Sequence, residues 1–194
     1  GLVGSEMCIR DRDFGDTAVG RGRITYYHDD DRMMIDVAGG EAFRIDSNRR
    51  FLHGVTSSVD VCSVAPARLQ VHNNASVLTA SFTGYGAHSG GSVVCLGKSR
   101  SNTIGDATGA VSNGDTLGDI RFGGSDGTDM HNTSAQILGQ VDGSVSSDSI
   151  PGRLIFQTNS GSGNVERLRI NSDGAVHIQD GSASAARFSI GNGS

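Results

Sequence analysis

Short runs of alternating apolar and polar residues recur along this 194-residue chain, and each run ends in residues that form turns. The run Glu41–Asp46 shows the pattern, with Phe43 and Ile45 on one face. Such alternation indicates a half-buried strand, because successive side chains of a strand point to opposite faces. Gly39 and Gly40 precede this run and can take the positive φ that a two-residue hairpin turn requires. The pattern therefore predicts strands joined by tight turns.

The supply of helix-forming residues supports this prediction. The chain has 3 Glu and 1 Lys, the charged residues that favour exposed helix faces, against 29 Gly and 18 Asp, which favour turns. A helical bundle is excluded, and a doubly wound α/β fold is disfavoured. We predict an all-β chain of antiparallel meander, sandwich or β-prism units. Strands are predicted at residues 23–28, 33–37, 41–46, 67–72, 76–83, 92–96, 117–122, 134–141, 153–158, 166–172 and 175–179.

Charge and cysteine content exclude several classes of function. The net charge is −5, whereas a nucleic-acid-binding surface is basic, so no nucleic-acid partner is expected. No apolar run is long enough to insert into a membrane, and no signal-peptide pattern opens the chain. The three cysteines, Cys8, Cys62 and Cys95, have no metal-binding spacing. We predict neither a cofactor nor a metal site, and small buried thiols at Cys62 and Cys95.

The apolar content is low for a chain of this length. Hydrophobic residues make up 36% of the sequence. A lone chain would bury a thin core, and an oligomer that hides side chains between subunits would solve this problem. Self-association is therefore a hypothesis from composition alone.

Two copies of one structural unit flank the middle of the chain. Glu166–Ser172 matches Glu41–Ser47 at an offset of 125, and Gly152–Thr158 matches the segment that begins at Gly22 at an offset of 130. We predict an N-terminal β-repeat unit at 13–64, a central β domain at 65–149, and a C-terminal β-repeat unit with a truncated linker at 150–194.

Residues 1–12 are expected to be foreign to the protein. Leu2–Arg12 resembles one translated reading frame of a transposase-type sequencing adapter, in which Met7–Asp11 reads ATG-TGT-ATA-AGA-GAC. We expect a non-native tail on a metagenomic fragment whose two ends are arbitrary. The alternative is a genuine N-terminal strand or tail.

The second repeat carries a family resemblance. Glu166–Ile178 resembles the E-R-M-R-I-x-S-x-G-x-V-G-I-G repeat of bacteriophage tail fibres, which commonly precedes an intramolecular chaperone domain. Pro66–His72 is similar to the strand that follows such repeats, and Gly114–Phe122 resembles the middle of these fibres. The first copy departs from the pattern, because Arg49–His53 replaces the Gly-rich turn and closing strand.

The resemblance implies an interlocked homotrimer and a structural virion protein that contributes to host-cell attachment. It further implies synthesis in the bacterial host cytoplasm, a cell-surface glycan or protein receptor, and no enzymatic activity. Two alternatives are a tailspike-type polysaccharide depolymerase segment and a bacterial surface adhesin with the same repeat. A depolymerase would need two converging carboxylates. The acids of one region could supply them: Asp29, Asp30, Asp31, Asp36 and Asp46.

Tyr85 and His88 are the candidate receptor contacts. They lie in the Gly-rich segment 84–91, where a tyrosine can present its ring face and hydroxyl to a sugar. The alternative is an ordinary hairpin loop with Tyr85 folded back onto the sheet.

Three further patterns have both functional and ordinary interpretations. Gly97-Lys98-Ser99 lacks the glycine spacing of a phosphate-binding loop, and Gly123–Asp129 is similar to one calcium-binding repeat but is explained better by a tight Asp-Gly turn. His53 and His177 fall on corresponding strands of the two repeats and could bind an ion on a trimer axis. Solvated histidines at strand ends are the simpler interpretation.

Overall fold

A computed structural model describes residues 10–13, 21–63, 65–74 and 78–178, with residues 10–13 described by their backbone alone. These residues contain eleven strands in two sheets and no helix, so the all-β prediction is confirmed. In this part of the chain, accordingly, nothing helical is long and apolar enough to cross a membrane. The chain divides into two compact units, residues 1–92 and residues 93–194, and each is described by itself below.

The first unit contains a six-stranded sheet whose strands are neighbours in chain order. All pairs are antiparallel except β5–β6, which is parallel. The antiparallel meander predicted from the alternating runs is therefore present. The strands are β1 (Arg10–Asp13), β2 (Gly22–Tyr27), β3 (Arg32–Val37), β4 (Gly40–Ile45), β5 (Phe51–His53) and β6 (Leu69–Val71).

The hairpin between β3 and β4 differs from its prediction by one residue. Positive φ values occur at Ala38 (56°) and Gly39 (81°), whereas Gly40 begins β4. Two successive residues with positive φ define the type I′ turn, whose twist matches that of the flanking strands. The turn therefore places Ala38 in a conformation that glycine adopts more readily.

One face of the first sheet is covered by the segment that connects β5 to β6. Parallel strands need a long connection, and residues 54–68 provide it. The Arg44 Nη1 donates to the carbonyl of Thr56 at 2.7 Å, and the Val59 amide donates to the Gln70 Oε1 at 3.0 Å. The buried side chains on this face of the sheet are both polar and apolar, namely Thr25, Asp36, Leu52 and Gln70.

The second unit contains a five-stranded antiparallel meander, again in chain order. Its buried apolar side chains include Leu138, Val141 and Ile155. The strands are β7 (Thr116–Gly123), β8 (Thr133–Val141), β9 (Gly152–Asn159), β10 (Asn164–Ile170) and β11 (Val176–Ile178).

The pairing registers make β1–β5 and β7–β11 equivalent strand by strand. Met34 lies opposite Arg44 in the first sheet, and Ile155 lies opposite Arg169 in the second. The preceding strands match as well, because Thr25 of β2 lies opposite Met34 and Leu138 of β8 lies opposite Ile155. In both sheets a β-bulge lies two residues before the arginine of each pair, at Ala42 and at Arg167, which are 125 residues apart. The internal repeat is thus a five-stranded unit.

The turns after β4 and β10 repeat with the same offset. The amide of Asp46 donates to the carbonyl of Arg50 at 3.1 Å, as the amide of Asn171 donates to the carbonyl of Ala175 at 2.9 Å. This agreement supports the match at 125.

The match at 130 is displaced by one strand. It aligns β9 with β2, whereas the pairings make β9 the equivalent of β3. The two segments look alike because β2 begins with Gly-Arg-Ile and β9 begins with Gly-Arg-Leu, although they are different strands of the unit.

Two predicted strands are not strands in this structure. Of segment 76–83, residues 78–83 have no strand partner, and residues 92–96 have none either among the described residues. The alternating pattern is present, but a strand also needs a neighbour to receive its backbone hydrogen bonds. The division into 13–64, 65–149 and 150–194 stays a prediction.

The adapter-derived origin of residues 1–12 also stays a prediction. Residues 1–9 lie outside the described residues, as does Gly181–Ser194 of the predicted linker. Residues 10–12 belong to β1 at the sheet edge, where Arg10 lies opposite Tyr26. Strand pairing at an edge uses backbone groups and requires no particular side chains.

Candidate functional site

Tyr85 lies on an exposed Gly-rich loop, as the sequence suggests. Its side chain is 96% exposed, so it does not fold back onto the sheet within this chain. An exposed tyrosine offers an apolar ring and a hydroxyl that can both donate and accept hydrogen bonds. A role for Tyr85 in receptor contact stays a prediction.

His88 is held by its own loop. The Gly90 amide donates to the His88 Nδ1 at 3.1 Å, and a Cβ at Gly86 would lie 2.5 Å from the His88 Nε2. The imidazole therefore occupies the space above Gly86, where no other residue type fits without movement. This contact lies within the loop that carries Tyr85, and whether His88 touches a receptor is equally a prediction.

Both sheets have an apolar face that remains partly open. In the first sheet the exposed members of this face are 38% to 65% exposed, and in the second they are 38% to 60% exposed. Since side chains alternate along each strand, these residues project away from the face that holds Thr25 and Leu52 in the first sheet, and Leu138 and Ile155 in the second. The exposed members are Ile24, Met33, Val37, Ile45, Leu69 and Val71 in the first sheet, and Ile120, Phe122, Leu154, Ile170 and Val176 in the second.

The arrangement of faces could not be read from the alternating runs. Those runs identify Phe43 and Ile45 as one face, and such a face is normally the buried one. Here the opposite face holds the buried side chains, and residues 54–68 of the same chain contact it at Arg44 and Gln70. The length of that connection was the available signal, because a long segment between parallel strands has to lie across the sheet.

Residues 78–95 are exposed along their whole length. Leu78, Phe82 and Val93 are 87%, 73% and 84% exposed, and no backbone hydrogen bond joins this segment to another described residue. Cys95 is exposed, which contradicts its predicted burial, whereas Cys62 is buried as predicted. Backbone groups and large apolar side chains that stay exposed to water in one chain indicate a segment that is completed by contact with another chain.

Four of the five acids that could serve a depolymerase have partners of their own among the described residues, Asp29 being the exception. Asp36 pairs with Arg23 at 3.0 Å, Asp46 accepts from the Arg50 Nε at 2.6 Å, and Asp31 accepts from the Tyr26 hydroxyl at 2.8 Å. Asp30 pairs with Arg32. The hydrogen bond to Asp31, together with burial and the charge of that carboxylate, raises the pKa of Tyr26. Asp30, Asp36 and Asp46 therefore act as counterions of arginines, whereas Asp31 accepts a hydrogen bond from a tyrosine hydroxyl.

The segment 123–129 forms the tight Asp-Gly turn. The Asp126 Oδ1 accepts from the amides of Thr128 at 2.8 Å and Asp129 at 3.1 Å, and Gly127 has a φ of 94°. These hydrogen bonds, that from Thr128 first, lower the pKa of Asp126. Within the described ranges no group of three or more metal-ligating side chains occurs.

His53 and His177 lie on opposite faces of corresponding strands. The offset of 125 places His53 at the position of Ile178, on the apolar face, and His177 at the position of Leu52. The two histidines are therefore not equivalent in the repeat. Lys98 of the Gly-Lys-Ser segment pairs with Asp115 at 3.2 Å.

Two solved structures are similar to this all-β fold. The carboxy-terminal domain of the bacteriophage T5 L-shaped tail fibre matches with a TM-score of 0.64 and 17% sequence identity, over 94% of this chain and 82% of that one. This chain has a tail-fibre fold. A second structure, of the same T5 domain with its intramolecular chaperone domain, matches with a TM-score of 0.64 and 16% identity over 93% of this chain.

The likeness confirms the tail-fibre resemblance at the level of the fold. This chain spans 56% of the T5 structure that includes the chaperone domain. No protein-family model matches the sequence, and no curated protein is significantly similar to it. The likeness is therefore one of fold, with 16% to 17% residue identity.

Proposed function

We propose that this chain is a structural subunit of a bacteriophage tail fibre, that three copies interlock, and that the trimer contributes to host-cell attachment. The proposed location is the virion, after synthesis in the bacterial host cytoplasm. The receptor would be a cell-surface glycan or protein, and no enzymatic step is proposed.

The observation that carries the proposal is the set of apolar surfaces that one chain leaves uncovered. Two equivalent sheet faces and the segment 78–95 expose large apolar side chains, among them Phe82 at 73% and Phe122 at 53%. Contiguous exposed apolar surface on a folded chain indicates an interface. Other copies of the chain are the simplest partners, because symmetric association repeats one contact in every subunit.

Segment 78–95 would supply strands to such an assembly. Its backbone makes no backbone–backbone hydrogen bond with any described residue, and its sequence predicts strands at 76–83 and 92–96. Pairing with a neighbouring copy would satisfy these groups and remove exposed strand edges. The number of copies, three, follows from the tail-fibre resemblance.

Attachment would gain strength from the trimer. Three copies of a weak site engage a surface together, and each later contact becomes intramolecular, so the avidity exceeds the affinity of one site. The exposed loop 84–91 with Tyr85 is the proposed contact.

Immunogold electron microscopy tests the location. An antibody against this chain should label the fibres of phage particles that carry its gene. Label on uninfected bacterial surfaces instead would identify an adhesin and overturn the proposal.

A viscosity measurement tests the enzymatic alternative. Host capsular polysaccharide incubated with the assembled chain should keep its viscosity. A progressive fall in viscosity would identify a depolymerase and contradict a purely structural role.

A further inference from the structure

Three arginines surround a cleft at the turn between β4 and β5. The cleft has a volume of about 460 Å³. Its lining consists of Ser47, Asn48, Arg49, Arg50, Pro66 and Arg68. Pro66 and Arg68 come from the end of the connection to β6, so two separate segments of the chain form the walls. We call this feature the arginine cleft.

Most guanidinium donors in the arginine cleft have no partner among the residues that the structure describes. The Arg50 Nε donates to the Asp46 Oδ2 at 2.6 Å, and the Arg68 Nη1 donates to the Asn48 carbonyl. The Arg49 side chain is exposed, and no hydrogen bond or ion pair joins its guanidinium to a residue that the structure describes. Because a guanidinium has five N–H donors and no acceptor, each arginine can still bind an anion.

The charge of the arginine cleft is opposite to that of the whole chain. Three arginines against the carboxylate of Asp46 leave two positive charges, whereas the chain has a net charge of −5. Burial raises the pKa of Asp46, but hydrogen bonds from the backbone and side chain of Arg50 outweigh this effect and lower the pKa overall. Asp46 therefore remains ionised, which keeps Arg50 in place.

Arg49 occupies a backbone position that favours glycine. Its φ is 61°, and the equivalent residue in the second sheet is Gly174, with a φ of 85°. The two turns share their backbone hydrogen bonds, and the residue after Gly174 is Ala175, where the first turn has Arg50. Since the turn forms without arginine in the second sheet, the backbone does not require Arg49 or Arg50.

We propose that the arginine cleft binds phosphate groups of a host surface polysaccharide. The proposal rests on the proposed function in attachment and names the chemistry of one contact. A guanidinium binds two oxygens of a phosphate through parallel hydrogen bonds, and several guanidinium groups around one cleft match the charge of a phosphate monoester better than that of a carboxylate.

The arginine cleft would remain open in the assembly. Arg50 and Arg68 directly precede Phe51 of β5 and Leu69 of β6, which belong to the apolar face. Because side chains alternate across a sheet, the two arginines project to the opposite side from this face. A neighbour that covers the apolar face would leave the arginines accessible.

Binding to immobilised lipopolysaccharide tests the proposal. The probes are lipopolysaccharide with a phosphorylated core, the same material dephosphorylated with hydrofluoric acid, and neutral dextran. The complete chain should bind the phosphorylated probe at least tenfold more tightly than the other two. Inorganic phosphate should compete, and binding should weaken as salt rises.

Arg49→Gly and Arg68→Gln should each weaken binding to the phosphorylated probe about tenfold, because each removes a charged hydrogen-bonding contact. Arg121→Gln removes an exposed arginine from β7 of the second unit and should bind like the unaltered chain. Arg49→Gly restores the residue type of the second turn, so the thermal unfolding midpoint should not fall.

Equal binding by the unaltered chain, Arg49→Gly and Arg68→Gln would overturn the proposal, as would equal binding to the dephosphorylated probe. If these variants bind normally while the chain still adsorbs to host cells, the proposal of phosphate binding in the arginine cleft is wrong and the proposed role in attachment stands. If phosphate binding depends on Arg49 but the chain adsorbs to no cells, the proposed role in attachment is wrong and the proposal of phosphate binding in the arginine cleft stands.

Discussion

Asp115 anchors the loop that leads into β7. Its carboxylate accepts from the Arg100 Nε at 2.7 Å, from the Ser112 amide at 2.9 Å, and from Lys98 at 3.2 Å. The hydrogen bond from Arg100 is the largest cause, and together with the others it outweighs burial and holds the pKa of Asp115 far below its ordinary value. This carboxylate remains charged at every pH at which the chain is expected to function.

Asp115→Asn should lower the unfolding midpoint at pH 7. The pKa of Asp115 is lower in the folded chain than the unfolded value of about 3.9. Its stabilisation is therefore complete above that value and is lost as the pH falls through the lower, folded-state pKa. The difference between Asp115→Asn and the unaltered chain should shrink as the pH falls below about 4. Calorimetry over this pH range measures the unfolding midpoints, with Asp29→Asn as a surface control. A difference between Asp115→Asn and the unaltered chain that stayed constant with pH would contradict this account.

Arg49 illustrates a residue whose backbone conformation opposes its side chain. Arg49→Gly should stabilise the first unit by about 0.5 kcal/mol, because relief of the left-handed conformation exceeds the added chain entropy of glycine. Gly174→Arg should destabilise the second unit by a similar amount. Denaturant unfolding measures both, and a loss above about 1 kcal/mol for Arg49→Gly would indicate a structural role for the arginine.

At the scale of elements, the parallel pair β5–β6 depends on one glycine. Gly54 has a φ of 79°, and a Cβ there would lie 2.1 Å from the carbonyl oxygen of His72. The adjacent hydrogen bond, from the His72 amide to the His53 carbonyl, measures 2.9 Å. The chain can make this close approach only without a side chain at residue 54.

Gly54→Ala should destabilise the first unit by about 2–4 kcal/mol, since the clash is with backbone and adds to the conformational strain. Gly39→Ala is the matched control: its φ is 81°, and no atom lies within 4 Å of the added Cβ. It should cost only about 1 kcal/mol. Equal losses in equilibrium unfolding would show that the contact with His72 is unimportant.

Alternation predicted the strands correctly where the neighbouring strand that pairs with them belongs to the same chain. The predicted strands 33–37 and 117–122 match β3 (Arg32–Val37) and β7 (Thr116–Gly123) within a residue at each end, because alternation and turn residues are local signals. Segments 78–83 and 92–96 have the same alternation and form no strand in one chain. Strand pairing depends on a neighbour, and local alternation does not specify one.

The candidate sites divide in the same way. Exposure of Tyr85 follows from the glycines around it, and the structure agrees. The arginine cleft could not be predicted, because Arg68 reaches Arg49 only through the parallel pairing of β5 with β6. One signal was available: Arg49 and Arg50 stand where the second repeat has Gly174 and Ala175.

At the scale of the whole molecule, the two apolar faces predict where copies meet. Met33→Asp should weaken assembly at least tenfold in dissociation constant, because a charge would be buried at the interface. Val61→Asp is the matched control, since Val61 is 40% exposed and Met33 41%, and Val61 lies outside the apolar face. Analytical ultracentrifugation at several concentrations compares them. An equal effect of both variants would remove the apolar face from the interface.

Sedimentation equilibrium of the unaltered chain tests the central claim most directly. If three copies cover the open apolar faces and the segment 78–95, the mass should be three times the 20.1 kDa of one chain and independent of rotor speed. A cooperatively folded species of 20.1 kDa at micromolar concentration would contradict the account, because the apolar surface would then be stable in water without a partner.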